Sequence, residues 1–158
     1  MSETIVTFPP LEARNLEGRG FRLPQDFGGE QNLAMVAFQR WHQGLIDSWM
    51  PYLTSLQQTY DRFQVYELPT LSFMYTLMRP IIDGGMSAAI PNKATREHTL
   101  TMYTDVNRVV RSLGLSDTST IGLFLVERGG RIIWHGQGGY DEHQAAALKQ
   151  ALDRSQML

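Results

Sequence analysis

Cysteine is absent from all 158 residues. That absence excludes disulfide stapling, thiolate metal ligation, iron–sulfur clusters and cysteine nucleophiles together. It also excludes thiol–disulfide exchange, which needs one sulfur to attack another. No apolar run approaches the roughly 20 residues that a membrane helix needs. Neither charge sign dominates: 14 Lys and Arg stand against 16 Asp and Glu, scattered along the chain, so no basic stripe points to nucleic acid. Residues 1–14 have neither the charged start nor the apolar core of a secretory signal, and a cytoplasmic protein is expected. No nucleophile elbow is present, and no serine adjoins a histidine and an acid. With 42% hydrophobic and 19% charged residues, the chain falls among globular proteins, and its length suits one domain with a full core. The expected organisation is a loose lead-in over 1–19 followed by a single domain over 20–158, without repeats or linkers.

What is present is an alternation of elements. Around Gly18, Gly20, Pro24, Gly28 and Gly29 the chain reads as loops, with Phe21-Arg22-Leu23 one arm of a small hairpin. Leu33-Ala34-Met35-Val36-Ala37-Phe38 is an unbroken apolar run of strand length, the mark of a strand buried on both faces. Leu45, Trp49, Leu53, Leu56 and Tyr60 then recur at helical spacing, with Pro51 placed to kink the helix. Residues 63–68 form a second strand, closed by Pro69. Thr70 is expected to cap a helix with Leu71, Met74, Tyr75 and Met78 on one side, disturbed by Pro80 and broken at Asp83-Gly84-Gly85. A short helical turn near 86–90 precedes Pro91. Residues 99–103 are a third strand. Asp105 caps a helix with Val106, Val109, Val110 and Leu113 inward, ended by Gly114. Strands over 121–127 and 131–135 flank Gly129-Gly130 as a hairpin. Asp141 caps a last helix over 142–153, with Ala145, Leu148, Ala151 and Leu152 inward. Such alternation predicts an α/β fold, a mostly parallel sheet covered by helices.

Two segments resemble the thioredoxin fold, in the version with an insertion before the last strands that thiol-specific peroxidases and the thioredoxin-like proteins of cytochrome maturation use. The first is Val36 to Leu53, where Phe38 ends a strand and Pro51 stands as the family's kinking proline. The family's Cys-x-x-Cys then falls on Gln43-Gly44-Leu45-Ile46, a vestigial redox site. The second is Leu123-Phe124-Leu125-Val126-Glu127-Arg128-Gly129-Gly130-Arg131-Ile132-Ile133-Trp134, similar to the family's closing hairpin. The family's cis-proline place is held by Ile121, for which a trans bond is expected, since a cis bond there costs about 2.5–4 kcal/mol. The resemblance spans 20–152 and implies a central mixed sheet of about five strands flanked by helices, with a closing β-hairpin and a C-terminal helix. The ending Arg131-Ile132-Ile133-Trp134-His135-Gly136-Gln137-Gly138 also resembles the assembly factors of the mitochondrial ATP synthase, thioredoxin-like chaperones.

Several residues are candidates for function. The start of the first long helix favours negative charge. His42 and Gln43 there either bind an anion or polar ligand or form a polar loop left after thiol loss. Asp47 either pairs with His42 or stabilises the helix dipole. Trp41 is either an exposed protein-contact residue or a lid over the helix. Thr120 and Ile121, in the loop where the family clamps extended peptides, are further contact candidates. His42, His98, His135 and His143 show no i, i+4 pair, so no metal site is expected. Met74 and Met78 suit a copper-binding pair or core filling, and their apolar face predicts core filling. Gly136-Gln137-Gly138-Gly139 would cradle a phosphate or make a tight turn; the Asp141 charge predicts the turn. No cofactor is expected. The expected function is a non-redox protein- or peptide-binding or assembly module using Trp41, His42, Gln43 and Asp47 with the loop at Thr120 and Ile121. The alternatives are a peroxidase-like or hydrolytic enzyme using His42 and Asp47, and a structural homodimer.

Overall fold

A computed structural model describes residues 7–157. Residues 1–6, part of the expected lead-in, lie outside the described residues. The elements run β1 (Leu11–Asn15), β2 (Gly20–Leu23), β3 (Gln31–Ala37), α1 (His42–Thr59), β4 (Phe63–Ser72), α2 (Arg79–Ala89), α3 (Lys93–Glu97), β5 (Leu100–Thr104), α4 (Val106–Ser112), β6 (Gly122–Glu127), β7 (Ile132–Gln137) and α5 (Glu142–Gln156). They build one seven-stranded sheet of order β2-β1-β5-β4-β3-β6-β7. Five of these strands, β5-β4-β3-β6-β7, are the expected mixed sheet. The other two are an N-terminal hairpin that extends it: part of the stretch expected as a lead-in is β1, paired antiparallel with β5 through Arg14 and Thr101.

The apolar run of β3 is buried at every residue because both faces are covered. On one face Leu33, Met35, Phe63, Val65, Ile121, Leu123 and Leu125 pack under Ile46, Trp49, Leu53 and Leu56 of α1 and Leu148 and Leu152 of α5. On the other, Ala34, Val36, Tyr66, Leu68 and Phe124 pack against Phe8, Phe21, Phe27 and Val109. Each fully buried aliphatic side chain contributes about 1.5–3 kcal/mol relative to exposure, so these layers hold α1 and β3 fixed with respect to each other.

The expected caps are present. Asp105 accepts the Arg108 amide, and Asp141 accepts those of His143 and Gln144. Gly129 and Gly130 turn the β6–β7 hairpin at φ 101° and 100°, and Pro24 crowds the place a Gly130 side chain would occupy. The stretch after β4 differs from expectation. Pro69 does not close that strand. It stands opposite Ala37, where the ladder to β3 ends and the ladder to β5 takes over, and β4 continues to Ser72. Ser72, not Thr70, then caps a 3-10 turn, Phe73–Met78. Pro80 lies in the first turn of α2, where its missing N–H costs nothing, so it starts a helix and does not disturb one. Asp83-Gly84-Gly85 lies inside α2 and does not break it.

Candidate functional site

Parallel strands β3 and β4 end at one edge of the sheet, and α1 begins there. His42, in its first turn, is fully buried. Its Nδ1 accepts the amides of Phe38 at 3.0 Å and Gln39 at 3.2 Å. An imidazole accepting at Nδ1 carries its proton on Nε2. That Nε2 is buried and has no hydrogen-bond partner among the described residues. Burial lowers the His42 pKa, with the Ser119 backbone acting in the opposite direction. His42 is therefore a neutral structural bracket for the turn at 38–42, neither a ligand contact with a free ring nor a loosely held polar loop residue.

The anion reading fails for a second reason. The amides of His42, Gln43 and Gly44 donate to the carbonyls of Gln39, Arg40 and Trp41 at 3.0, 3.3 and 3.2 Å, so they are not free to hold a ligand. The site is also acidic. Gln43 Nε2 donates to Asp47 Oδ1 at 2.9 Å and to Glu67 Oε1 at 3.1 Å. Burial raises the Glu67 pKa, the Gln43 bond lowers it, and the Asp47 charge raises it again. Asp47 thus turns to Gln43 and Glu67, and the His42–Asp47 pairing does not form. Glu67 was missed by sequence reasoning. Its signal is a lone acid inside the apolar strand segment Val65-Tyr66-Glu67-Leu68.

Of the four vestigial positions, Gln43 and Gly44 are exposed, Leu45 is partly buried and Ile46 is core. Trp41 is 58% exposed, its ring edge-on to His42 at 4.5 Å, so it stands at the surface and is not a buried lid. Thr120 lines a small open cavity of about 240 Å³ with Leu115, Ser116, Asp117, Ser119 and Gln137. Ile121 is fully buried in the core under α1, so its side chain offers no surface to a partner. The Thr120–Ile121 bond is trans; among the described residues cis geometry is confined to Leu23–Pro24.

The glycine loop is a tight turn. Gln137 N–H donates to Gln144 Oε1, Gly138 N–H to the Ile121 carbonyl and Tyr140 N–H to Ser48 Oγ, so three amides that a phosphate would need are already engaged. Gly138, at φ 80°, offers its carbonyl to the buried Trp49 indole at 2.9 Å. The histidines stay apart: His98 bonds Ala94 and Gln64, while His135 and His143 are exposed. Among the described residues no three His, Asp or Glu side chains gather as a metal site.

The methionine expectation is overturned. Met74 is 79% exposed and Met78 45%, together with Phe73, Tyr75, Leu77 and Ile81. The 3-10 turn and α2 bury no residue fully. Apolar side chains occupy nearly every position of 73–78, so no orientation of that segment could bury them all. β4 leads into it from the edge at which α1 starts, so these side chains and Trp41 share one end of the molecule.

No protein-family model matches the chain, and no curated protein matches it. Solved structures do. The thioredoxin domain of thiol-disulfide oxidoreductase BVU-2223 from Bacteroides vulgatus is 16% identical, with 95% of this chain and 98% of that chain covered and a TM-score of 0.56. Yeast Sco1 with copper bound is 12% identical, with 96% and 95% covered and a TM-score of 0.61. BsSco, of the Sco family of cytochrome c oxidase assembly proteins, is 15% identical, with 95% of each chain covered and a TM-score of 0.60. At such identities the likeness establishes the fold: the chain is thioredoxin-like, without the thiols. Among the described residues no helix is long and apolar enough to cross a membrane.

Proposed function

We propose that this chain is a non-redox protein-binding module of the assembly or chaperone type, which engages its partner with the end of the sheet bearing Trp41 and residues 73–81. The observation that carries this reading is the exposure of seven large apolar side chains at the edge where a thioredoxin-like enzyme would hold its thiols: Trp41, Phe73, Met74, Tyr75, Leu77, Met78 and Ile81. A typical monomer's largest apolar patch is about 300–600 Å² and often functional. Trp and Tyr, apolar bodies with a polar tip, are enriched where such patches meet partners. The acids Asp47 and Glu67, bridged by Gln43 near the start of α1, would favour a partner segment with basic residues beside its apolar ones. The similarity in fold to BsSco, of a family of cytochrome c oxidase assembly proteins, supports the same class of function here.

The test is suppression of aggregation when a chemically denatured client enzyme is diluted into buffer. Wild type should suppress it, and a Trp41→Ala, Leu77→Ser double variant should lose most of the effect with an unchanged melting temperature. Equal suppression by the double variant rejects this surface. Light scattering of the protein alone separates partner binding from self-association.

A further inference from the structure

The sheet's β2-β1-β5 end holds a second feature, which meets the proposed protein-binding surface only at Arg79, between Met78 and Ile81. On β1 and β2 the residues Ala13, Phe21 and Leu23 point into the core, so Glu12, Arg14 and Arg22 point the other way. Gly20 lies opposite Arg14 and leaves open space where a side chain would stand. Across the next ladder Arg14 faces Thr101. Above that strand stands Arg79 of α2. Glu12, Arg14, Arg22, Asp26, Arg79 and Tyr103 line an open hollow of about 450 Å³.

Arg79 is fixed before any ligand arrives. Its Nε faces Asp83 Oδ2 at 3.4 Å, and its Nη2 donates to the Thr101 carbonyl at 3.0 Å and to Thr101 Oγ1 at 3.1 Å. Its guanidinium lies 4.4 Å from the centre of the Tyr103 ring. Tyr103 and Thr101 in turn donate to the two Asp83 oxygens at 2.7 and 2.8 Å. Burial, reinforced by Asp83, raises the Tyr103 pKa, so the hydroxyl remains a donor and the bracket persists across ordinary pH. Nη1 of Arg79 is left without a partner among the described residues. Arg14 and Arg22 likewise form no ion pair there. Of the two other acids, Asp26 receives the Arg22 backbone amide on Oδ2 at 2.7 Å, while Glu12 has no hydrogen bond or ion pair among the described residues.

We propose that this hollow binds a small polyanion, a molecule carrying phosphate or carboxylate groups, between Arg14, Arg22 and Arg79. Guanidinium forks match both oxyanions in a bidentate way. A bracketed Arg79 loses little side-chain freedom on binding, the condition for affinity from a solvent-open site. The volume lies within the range of about 300–1,000 Å³ typical of ligand clefts and exceeds what a lone phosphate fills. Glu12 selects ligands with a hydroxyl or amine donor beside the anionic group.

The experiment is a titration of the full chain, followed by backbone amide NMR, with inorganic pyrophosphate in one arm and citrate in the other. Saturable shifts are expected at residues 12–14, 20–22 and 101–103 in at least one arm, weakening as salt is raised. An Arg14→Gln, Arg22→Gln double variant should bind at least tenfold more weakly. Both side chains are exposed and form no ion pair among the described residues, so its melting temperature should not change. Saturation by pyrophosphate alone identifies a phosphate ligand, by citrate alone a carboxylate, and by both a general polyanion site. No saturation in either arm, or undiminished binding by the double variant, overturns the proposal.

Discussion

Gln43 and Glu67 are 24 residues apart in the chain, and the amide of the first donates to the carboxylate of the second at 3.1 Å. The same amide serves Asp47, so one neutral group bridges two acids. An acid whose folded pKa is raised is favoured in its protonated form. Its contribution to stability is full below its unfolded pKa and is lost as pH rises through the folded value. Glu67→Gln removes that titration. Its urea midpoint should exceed that of wild type at pH 7.5, and the difference should vanish by about pH 4, near the ordinary Glu value. A midpoint difference that does not change with pH contradicts the account.

His42 gives the opposite slope. Its folded pKa is depressed, so the unfolded chain takes up a proton first as pH falls below the ordinary value of 6.5. Between that value and the folded one the unfolded state holds more protons, and stability falls with falling pH. His42→Asn supplies an acceptor near the Nδ1 position without the titration. His42→Phe leaves the Phe38 and Gln39 amides without their acceptor and should cost about 2 kcal/mol. Urea midpoints at pH 7.5 and 5.5 should show His42→Asn milder than His42→Phe, and wild type losing more of its stability on acidification than His42→Asn does.

Trp49 tests how firmly the glycine loop is tied to α1. Its indole is fully buried and bonded to the Gly138 carbonyl. Trp49→Phe removes that donor and leaves a gap in the packing, a loss of about 2–3 kcal/mol in chemical denaturation. Amide exchange should quicken at residues 137–140 while β3 stays protected. Uniform quickening along the chain would mean that the bond has no local role.

Local signals in the sequence carried most of the fold. Asp105, Asp141 and Gly129-Gly130 fix their caps and turn within four residues, and the β3 run needs only its own composition. Pairings set by distant partners did not show. β1 forms a local hairpin with β2, but its place in the sheet is set by β5, where Thr101 stands opposite Arg14 from 87 residues away. Leu71, Met74, Tyr75 and Met78 fall at helical spacing, but pairing of residues 70–72 with β5 keeps the first of them in the strand, so the sheet, and not local spacing, decides between helix and strand. The site was legible as a place more than as chemistry. Spacing located residues 41–47, but nothing near His42 in the chain reveals that its ring is buried, and Glu67 joins the site only through the β3–β4 register.

The apolar turn gives the last prediction. Leu77 is 93% exposed and Met74 79%, so neither side chain supports the fold. Polar substitutions at such positions usually change stability by no more than about 0.5 kcal/mol. Met74→Gln with Leu77→Ser should therefore leave the melting temperature alone. It should lower the binding of a fluorescent hydrophobic dye several-fold and raise the protein concentration at which light scattering first detects association. If the melting temperature instead drops by more than about 4 °C, a loss of roughly 1 kcal/mol or more for a chain of this size, these side chains pack against the fold in solution and the exposed surface is not a binding face.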